Sequence, residues 1–282
     1  MKAFANTQPE LLSHEEAGSR YLITGILVLD QPLHVGSGHG SDETDSAVIR
    51  DHAGHPIIPG SSLRGALRSR CERLAEALLP GRICFLYDPD ETRDVDCVSV
   101  KPDLLRDPRT GDLLPERELW EKLPRYLCPS CRLFGASAYW ASKVRIPDLP
   151  MLAPERSNPA TQVRHGVGIH RDTQTAAPAI KYNQEVVMTN ARFRLEIIVE
   201  NPDEDDLSLL ALGLADLAHG RMAIGGSASR GLGGCHLEDG LVQWADLSQP
   251  RELIAYLTTG DFPHHQALEP WLQEQLKRWV ED

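Results

Sequence analysis

Three stretches of the chain carry the hydrophobic pattern of β-strands. Tyr21–Leu29 (YLITGILVL) is rich in β-forming residues, which favours a strand. Arg192–Val199 alternates apolar and polar positions along most of its length, which predicts a half-buried strand. Gly231–Glu238 and Leu241–Trp244 indicate a closing strand or hairpin.

Helical spacing of apolar residues marks the other regular segments. In Ser62–Leu79, apolar residues recur at helical spacing opposite a face of arginines, and a Pro-Gly pair follows as a stop signal. Leu207–His219 is almost entirely apolar, so we expect a buried helix there. A short helix is predicted near Glu116–Lys122, and an amphipathic helix from about Pro270 to Val280.

Segments rich in turn-forming residues interrupt this order. Residues 1–20 form an irregular lead-in, and the stretches of about 81–132 and 145–187 are predicted insertions. The underlying order of strand, helix, insertion, strand, helix and strand predicts an α+β fold, and a chain of 282 residues is long enough for one large domain or two small ones.

Composition and charge narrow the function classes. With 41% hydrophobic and 25% charged residues, the chain has the composition of a soluble globular protein. No apolar run approaches the roughly 20 residues that span a bilayer, and the N-terminal segment lacks the apolar core of a signal peptide. We therefore expect a cytoplasmic protein whose six cysteines are thiols or metal ligands.

A net charge of −12 argues against a protein that coats nucleic acid non-specifically. The acidic residues are clustered, however, at Asp88–Asp96, at Asp203–Asp206 and near the termini. Basic residues concentrate elsewhere, at Arg50, Arg64, Arg68, Arg70, Arg73, Arg164, Arg171 and Arg230. A local basic groove on an acidic protein is therefore compatible with RNA binding.

The segment Val48–Arg70 has the features of a phosphate site. A Pro-Ile-Ile-Pro-Gly run favours extended backbone followed by a permissive joint. Ser61 or Ser62 is expected to cap the next helix, whose N-terminal N–H groups favour an anion. Positive charge comes from Arg64, Arg68 and Arg70. The alternative is an ordinary strand-to-helix turn with surface arginines and no role in phosphate binding.

Cys128 and Cys131 form a CxxC pair, which indicates a redox dithiol or half of a zinc site. The context of a thioredoxin-like motif is missing, which favours zinc. The other candidate ligands are Cys84 and Cys97 in the polar insertion, with His52 or His55 as alternatives to Cys84. Cys71 and Cys235 fall within apolar patterns and are expected in the core.

Five segments in order carry a resemblance to a known family. Besides Val48–Arg70 they are LHVGSGHGSDETDSAVIRD (Leu33–Asp51), CPSCRLFGAS (Cys128–Ser137), VRHGVGIHRDTQTAAPAIKYNQEVV (Val163–Val187) and GGSASRGLGGCHLE (Gly225–Glu238). Across about Tyr21 to Glu238 the chain resembles the RAMP superfamily, specifically the repeated backbone subunits of type III CRISPR effector complexes. The resemblance implies a single domain of residues 1–282, with a ferredoxin-like, RRM-type core, a zinc-bearing insertion at about 81–132 and a thumb-like hairpin insertion at about 145–187.

The resemblance also implies a catalytic role for Asp45. In similar backbone subunits, an aspartate at this place before an S-x-V-I-x-D segment cleaves target RNA in the presence of a divalent metal. A carboxylate suits this chemistry because it can hold Mg²⁺ or orient a 2′-hydroxyl. Asp42 and Glu43 are nearby competitors for the role. The alternative is a solvated acidic loop without catalytic function.

RNA contacts are implied at several further positions. His34 matches a family position implicated in guide RNA binding, and His39 lies close to it. Val163–Val187 resembles the thumb hairpin, which inserts between guide and target strands. The expected RNA-binding residues are His34, Arg50, Ser61, Ser62, Arg64, Arg68, Arg171, Gly226 and Arg230, and the expected zinc ligands are Cys84, Cys97, Cys128 and Cys131.

These features predict a subunit that polymerises along guide RNA and cuts the paired target RNA through Asp45, in antiviral defence. Its expected partners are guide RNA, target RNA, copies of itself or related backbone subunits, and the large and small subunits of the complex. Its expected cofactors are structural Zn²⁺, and Mg²⁺ or another divalent metal for cleavage. Two alternatives stay open: a non-catalytic zinc-stabilised RNA-binding scaffold subunit, and a guide-RNA-processing endoribonuclease that uses His34.

Overall fold

The computed structural model describes residues 18–38, 40, 44–85, 95–136, 140–152 and 160–280. In chain order its helices and strands are β1 (Ser19–Leu29), β2 (Ile57–Ile58), α1 (Gly60–Leu78), α2 (Glu116–Lys122), α3 (Pro129–Phe134), β3 (Val144–Arg145), β4 (Leu149–Pro150), β5 (Thr161–Ile169), β6 (Ala176–Val187), β7 (Arg192–Glu200), α4 (Glu204–Ala218), β8 (Met222–Ala223), β9 (Gly234–Asp246), α5 (Pro250–Thr259), β10 (His264–Ala267) and α6 (Leu268–Lys277). Short 3-10 helices occupy Pro102–Leu105, Leu123–Tyr126 and Ala228–Arg230. The α+β prediction is confirmed. Most of the predicted lead-in, residues 1–17, lies outside the described residues.

An antiparallel sheet forms the centre of the fold, with the strand order β10-β9-β1-β7-β3 and β8 paired to β9. β1 lies between β7 and β9, as expected for its apolar sequence. Ile23 pairs with Ile197 and Leu27 with Phe193, and all four side chains are fully buried. Because side chains alternate along a strand, these residues share the face that packs into the core.

Helices α1 and α4 complete the main core over this sheet. Their closest approach is at Gly213, where a Cβ atom would lie only 2.7 Å from the Cys71 sulfur. Any larger residue at that position would push the two helices apart. Cys71 and Cys235 are both fully buried in this core, which confirms the prediction for the two thiols.

Helix α1 begins two residues earlier than predicted, and neither Ser61 nor Ser62 caps it. The backbone N–H of Gly60 instead donates to the Asp148 carboxylate at 2.9 Å. A Cβ atom on Gly60 would lie 1.9 Å from the carbonyl oxygen of Ile146. The chain segment between β3 and β4 therefore covers this helix start, and the capping prediction was wrong because the acceptor comes from a distant residue.

A second, smaller core forms around the cysteine-bearing insertion. It contains Cys84, Cys97, Cys128 and Cys131 with the buried side chains of Val95, Val98, Leu105, Leu123 and Ala136. Helix α3 joins this core to the main one, because Arg132 lies 3.4 Å from the buried carboxylate of Asp206 at the start of α4. Lys143 forms a second ion pair with the same carboxylate at 2.5 Å.

The segment expected to be a thumb forms a two-stranded antiparallel hairpin. Strands β5 and β6 pair from Thr161↔Val187 to Ile169↔Ala176. At its base the hairpin is tied to the segment after β1, because Leu33 and Val187 exchange backbone hydrogen bonds of 2.9 and 2.7 Å. Toward its tip the hairpin is largely exposed.

The C-terminal part confirms the first of the two predicted alternatives, a closing strand. Residues 234–238 and Leu241–Trp244 belong to one long strand, β9, which bulges at Asp239 (φ 52°) and does not form a hairpin; Gly231 lies before its start. The hydrophobic pattern of the sequence did not predict helix α5, which buries no residue, or the edge strand β10. Helix α6 begins at Leu268, not at about Pro270. Among the described helices none combines the length and apolar character needed to cross a bilayer.

Candidate functional site

Asp45 is fixed by a reciprocal pair of hydrogen bonds with Asn183 of β6. The Asp45 backbone N–H donates to Asn183 Oδ1 at 2.5 Å, and the Asn183 backbone N–H donates to Asp45 Oδ2 at 3.0 Å. Asp45 is exposed to solvent, and its second carboxylate oxygen makes no hydrogen bond to any described residue. The hairpin therefore holds this carboxylate in place while leaving one oxygen free.

The free edge of β6 holds Asp45 and Ser46 of the acidic loop and Leu33, which precedes that loop. The backbone N–H groups of Asn183, Glu185 and Val187 point away from β5 and donate to Asp45, Ser46 and Leu33, respectively. Alternate N–H groups of a strand point to the same side, so these three contacts dock two segments against β6, one at Leu33 and the other at Asp45 and Ser46. The position of Asp45 thus depends on the hairpin, 138 residues away in sequence.

Glu185 adds a charged anchor to these contacts. Its carboxylate accepts from the backbone N–H of Val48 at 3.0 Å and forms an ion pair with Arg50. Burial raises the pKa of the Glu185 carboxyl, but hydrogen bonds from Thr161, Val48 and Arg50 outweigh that effect, so that the pKa lies below its usual value. Arg50, an expected RNA-binding residue, is thereby used at least in part to hold the loop.

His34 lies where the hairpin, the acidic loop and the glycine-rich loop meet. Its Nδ1 is 2.6 Å from the carbonyl oxygen of Glu185 and therefore donates a hydrogen bond, since a carbonyl only accepts. Its Nε2 lies 3.1 Å from the hydroxyl of Ser46. The backbone N–H of Gly226 donates to the His34 carbonyl at 3.0 Å. Both ring nitrogens thus have partners within the protein, an arrangement that positions the ring.

A cavity of about 390 Å³ opens beside Asp45. It is lined by Asp45 and by hairpin residues His165, Gly166, Val167, Lys181, Tyr182 and Asn183. The Tyr182 ring lies across Gly166, where a Cβ atom would come within 2.2 Å of the ring. Arg230 of the glycine-rich loop donates to the Tyr182 hydroxyl at 3.0 Å and lies 5.6 Å from the ring centroid. The cavity therefore joins a carboxylate, two basic side chains and an aromatic ring.

The four predicted zinc ligands converge at a separate place. The ligand atoms of Cys84, Cys97, Cys128 and Cys131 all lie within 4.8 Å of one another, and all four residues are buried. The sulfur of Cys84 is 3.3 Å from that of Cys128 and 3.4 Å from that of Cys131. These separations are close to the edges of about 3.8 Å of a tetrahedron with Zn–S distances of about 2.3 Å. The donor set therefore fits a tetrathiolate metal, and neither His52 nor His55 is needed.

Polar groups around the sulfur atoms favour thiolates. Arg68 Nη2 lies 3.3 Å and Ser99 Oγ 3.0 Å from the Cys131 sulfur. Hydrogen bonds among the four thiols, those from Cys128 first, hold the pKa of Cys97 and of Cys131 below the usual value, whereas the pKa of Cys84 and of Cys128 lies above it. The thiolate is the form that binds a metal. Two of the four sulfur atoms therefore favour the thiolate, and the cluster as a whole has the geometry of a tetrathiolate site.

Two arginines expected to bind RNA instead form contacts within the protein. Arg64 donates to the carbonyl of Phe134, and Arg68 bonds to Glu72 at 2.8 Å and to the carbonyl of Gly135 at 3.0 Å in addition to Cys131. Both guanidinium groups therefore bind the C-terminal end of α3. The sequence assigned them to phosphate from their charge and their place near a helix N-terminus, and it did not show the contacts with α3; their RNA-binding role stays a prediction.

The other predicted residues are dispersed. Ser61 is exposed and Ser62 half-buried on the first turn of α1, whereas Arg171 is exposed at the tip of the hairpin. His39, Asp42, Glu43 and most of Asp88–Asp96 lie outside the described residues. Sequence reasoning missed His165, Lys181, Asn183 and Glu185. Their signal was the polar alternation at positions 181, 183 and 185, which marks one face of a strand.

Comparison with known proteins gives concordant results. A family model of the RAMP superfamily matches residues 27–236. The chain is 25% identical over 272 aligned positions to the CRISPR system Cms endoribonuclease Csm3 of Methanothermobacter thermautotrophicus, and the match covers 86% of this chain and 93% of that protein. A stretch of 60 residues, 19% of this chain and 23% of the relative, is 40% identical to the protein of the same name from Methanocaldococcus jannaschii.

Proposed function

The chain belongs to the RAMP superfamily, and from that premise we propose that it is a backbone subunit of a type III CRISPR effector complex. In this role it binds guide RNA and cleaves the complementary target RNA through Asp45. The match to an endoribonuclease along 93% of that protein supports an RNA-cleaving subunit. Its partners are then the guide and target RNAs, copies of itself or related backbone subunits, and the large and small subunits.

The sheet topology supports an RRM-type core. Along the chain, β1, α1, β3, β7, α4 and β9 follow each other as strand, helix, two strands, helix and strand, with the β5–β6 hairpin inserted between β3 and β7. In the sheet the four strands lie in the order β9-β1-β7-β3. This βαββαβ order is that of a ferredoxin-like core, which presents one sheet face to single-stranded RNA in RRM domains.

The observation that carries the cleavage proposal is the fixed carboxylate of Asp45 at the base of the hairpin. A hairpin that enters between guide and target strands would bring a target phosphate into the adjacent cavity, which has room for a nucleotide linkage. The free oxygen of Asp45 is then available to hold Mg²⁺ or the 2′-hydroxyl of the target. One carboxylate with substrate phosphate oxygens is a common ligand set for Mg²⁺, and the bound ion would offset phosphate charge.

The four-cysteine cluster has a structural role in this proposal. With Cys84, Cys97, Cys128 and Cys131 as ligands, a zinc ion would have four protein ligands and no open position for chemistry. The small second core around the thiols gains its stability in part from such an ion. The metal would therefore hold the insertion against α1 and α3.

RNA contacts are proposed mainly near the carboxylate. Arg230, Gly226 and Arg50 lie on the loops that meet at His34, and Arg171 at the hairpin tip is available to the phosphate backbone. His34 acts by positioning these loops, because both of its ring nitrogens are bonded within the protein. An exposed Ser61 adds a further polar group at the start of α1.

The test is cleavage of a labelled, guide-complementary RNA by the assembled complex with Mg²⁺. The variants are Asp45→Asn and Asp45→Ala, with Asp261→Asn as a control that changes an exposed carboxylate outside the cavity. We expect the Asp45 variants to cleave about 1,000-fold more slowly while target RNA stays bound, because an acid–base group or metal ligand is lost. The control should cleave at the wild-type rate.

Other outcomes distinguish the alternatives. A wild-type complex that binds but does not cut, or an Asp45→Ala variant that cuts as fast as the wild type, would indicate a scaffold subunit. Loss of guide maturation in a His34→Ala variant, with target cleavage intact, would indicate a guide-processing endoribonuclease.

A further inference from the structure

We propose that the hairpin supplies the second half of the cleavage centre. His165 is the general acid that protonates the leaving oxygen, and Lys181 is the cation that binds the scissile phosphate opposite Asp45. This inference rests on the function proposed above and extends it to two residues outside the motif that contains Asp45. It starts from the cavity that brings the three side chains together.

The hairpin register places both residues on the face that carries Asp45. Asn183 pairs with His165 across the hairpin, and Lys181 pairs with Val167. Directly paired residues share a face, as do residues two positions apart on a strand. Because the Asn183 side chain touches the backbone N–H of Asp45, the face with His165, Lys181 and Asn183 is the one beside the acidic loop.

The His165–Asn183 pair is a close one. The backbone N–H of Asn183 points away from β5 to Asp45, so the two residues form a non-hydrogen-bonded pair of the antiparallel ladder. Such pairs have the shorter Cα separation, about 4.5 Å, and their side chains lie closer together. The imidazole of His165 is thereby held next to the clamp that fixes Asp45.

His165 and Lys181 are free to act on a ligand. Both side chains are exposed, and neither forms a hydrogen bond or ion pair with any residue in the described part of the chain. The neighbouring side chains, in contrast, have partners within the protein. The Tyr182 hydroxyl accepts a hydrogen bond from Arg230, and the Asn183 side chain accepts one from the backbone N–H of Asp45. Two basic side chains without partners among the described residues line the same cavity as the Asp45 carboxylate, and together these groups form a site for a phosphodiester.

The reaction balances with these three groups. The 2′-oxygen of the target attacks the adjacent phosphorus, and its proton passes to the Asp45 carboxylate. The bond from phosphorus to the 5′-oxygen breaks, and the 5′-oxygen takes a proton from the His165 imidazolium. The products are a 2′,3′-cyclic phosphate and a 5′-hydroxyl end, with no change in oxidation state. The Lys181 ammonium keeps its proton and offsets the negative charge that builds on the phosphate oxygens.

The proposed acid can be tested with a modified substrate. A target RNA whose scissile 5′-oxygen is replaced by sulfur has a leaving group that needs no protonation. The assembled complex is assayed with this RNA and with ordinary RNA, using His165→Ala, Lys181→Ala and Asp45→Ala. Gln184→Ala serves as a control, because residue 184 lies on the opposite face of the same strand and outside the cavity lining.

We expect His165→Ala to cleave ordinary RNA about 100-fold more slowly, the usual size of a general-acid effect, and to cleave the sulfur substrate at nearly the wild-type rate. Lys181→Ala and Asp45→Ala should be slow on both substrates, and Gln184→Ala should match the wild type. The affinity for target RNA should change less than about threefold in His165→Ala.

The assay distinguishes a wrong assignment of the general acid from a wrong proposed function. If Asp45→Ala is inactive but His165→Ala cleaves ordinary RNA at the wild-type rate, the proposed function stands and the acid assignment is wrong. Equal loss on both substrates in His165→Ala would likewise exclude the general-acid role. A wild-type complex that cleaves neither substrate would overturn the proposed function and this inference together.

Discussion

The cysteine cluster and the Asp45 cavity are assembled in opposite ways. Four buried thiols meet in a closed set surrounded by apolar side chains. Asp45, in contrast, is exposed and is held by hydrogen bonds from the edge of β6. The first arrangement leaves no open ligand position, whereas the second leaves a carboxylate oxygen and two basic side chains facing a cavity. Closure suits a structural site, and partial exposure suits a site that must admit RNA.

The two regions also differ in what keeps them in place. The second core is small, so a metal bound to its thiolates would contribute a large share of its stability. The acidic loop is held by many weak polar contacts, each of which contributes about 1 kcal/mol. We therefore expect single substitutions to disrupt the metal centre strongly and the cavity gradually. The following predictions test this difference, from the largest expected effect to the smallest.

Cys97→Ala should have the largest effect. We expect it to lose the bound metal and to destabilise the insertion by several kcal/mol, because metal binding and local folding are coupled. Cys235→Ala is the matched control, since that thiol is equally buried but lies in the main core. Metal content by mass spectrometry and amide hydrogen exchange across residues 95–136 would measure the effect. Retention of full metal content by Cys97→Ala would exclude this thiol as a ligand.

Arg68→Met should come second. Among the described residues, the substitution leaves the buried Glu72 carboxylate with the Ser130 hydroxyl, at 2.7 Å, as its remaining partner, and it removes the guanidinium from Cys131. We expect a loss of about 3 kcal/mol in unfolding free energy, typical of breaking one partner of a buried ion pair, and release of the metal at a lower chelator concentration. Arg73→Met, on the exposed face of the same helix, should change stability by less than about 0.5 kcal/mol.

The opposite result for Arg68→Met would support its predicted RNA-binding role. In that case the affinity for guide RNA would fall while the melting temperature and metal retention stayed at their wild-type values. A filter-binding titration alongside thermal unfolding separates the two interpretations.

Asn183→Ala should have an intermediate effect that is confined to the cavity. Removing the side chain leaves the Asp45 backbone N–H without its acceptor, while the Asn183 backbone still donates to the carboxylate. We expect the single-turnover cleavage rate to fall about tenfold, with target affinity and metal content unchanged, because a small misplacement of a catalytic group is costly. A purely structural role would instead lower stability and leave the cleavage rate of the folded fraction unchanged.

Glu185→Gln should have the smallest effect, and that effect should depend on pH. Because the folded-state pKa of Glu185 lies below the usual 4.5, its stabilising contribution is fully present above about pH 4.5 and is lost as the pH falls through the folded-state pKa. We expect a difference of about 1 kcal/mol or less at pH 7, since Arg50 is partly exposed and solvent screens the pair. Thermal unfolding of both proteins from pH 7 to pH 3 would measure it, and a difference that grew toward pH 3 would contradict the assignment.

Much of the secondary structure could be predicted because it is encoded by neighbouring residues. The apolar spacing in the α1 segment located the helix to within two residues, and Glu116–Lys122 matched α2 in full. The CxxC pair and two further cysteines identified the four-thiol cluster, because thiols in a polar insertion have few roles other than metal binding. The residues that predict the two helices lie close together in the sequence, and the residues that predict the cluster belong to a rare type, cysteine.

The sequence by itself determined the helices α1, α2, α4 and α6, the strands β1, β7 and β9, and the four cysteines, and its resemblance to a known family singled out Asp45. Only the tertiary structure decided that Asn183 and Glu185 fix the acidic loop, that His165 and Lys181 share its cavity, and that Arg64 and Arg68 bind α3. The physical reason is the distance along the chain between the residues that interact. Periodicity reports which face of an element is apolar, whereas the Asp45–Asn183 contact joins residues 138 positions apart through the edge of a docked hairpin, and no local pattern specifies that docking.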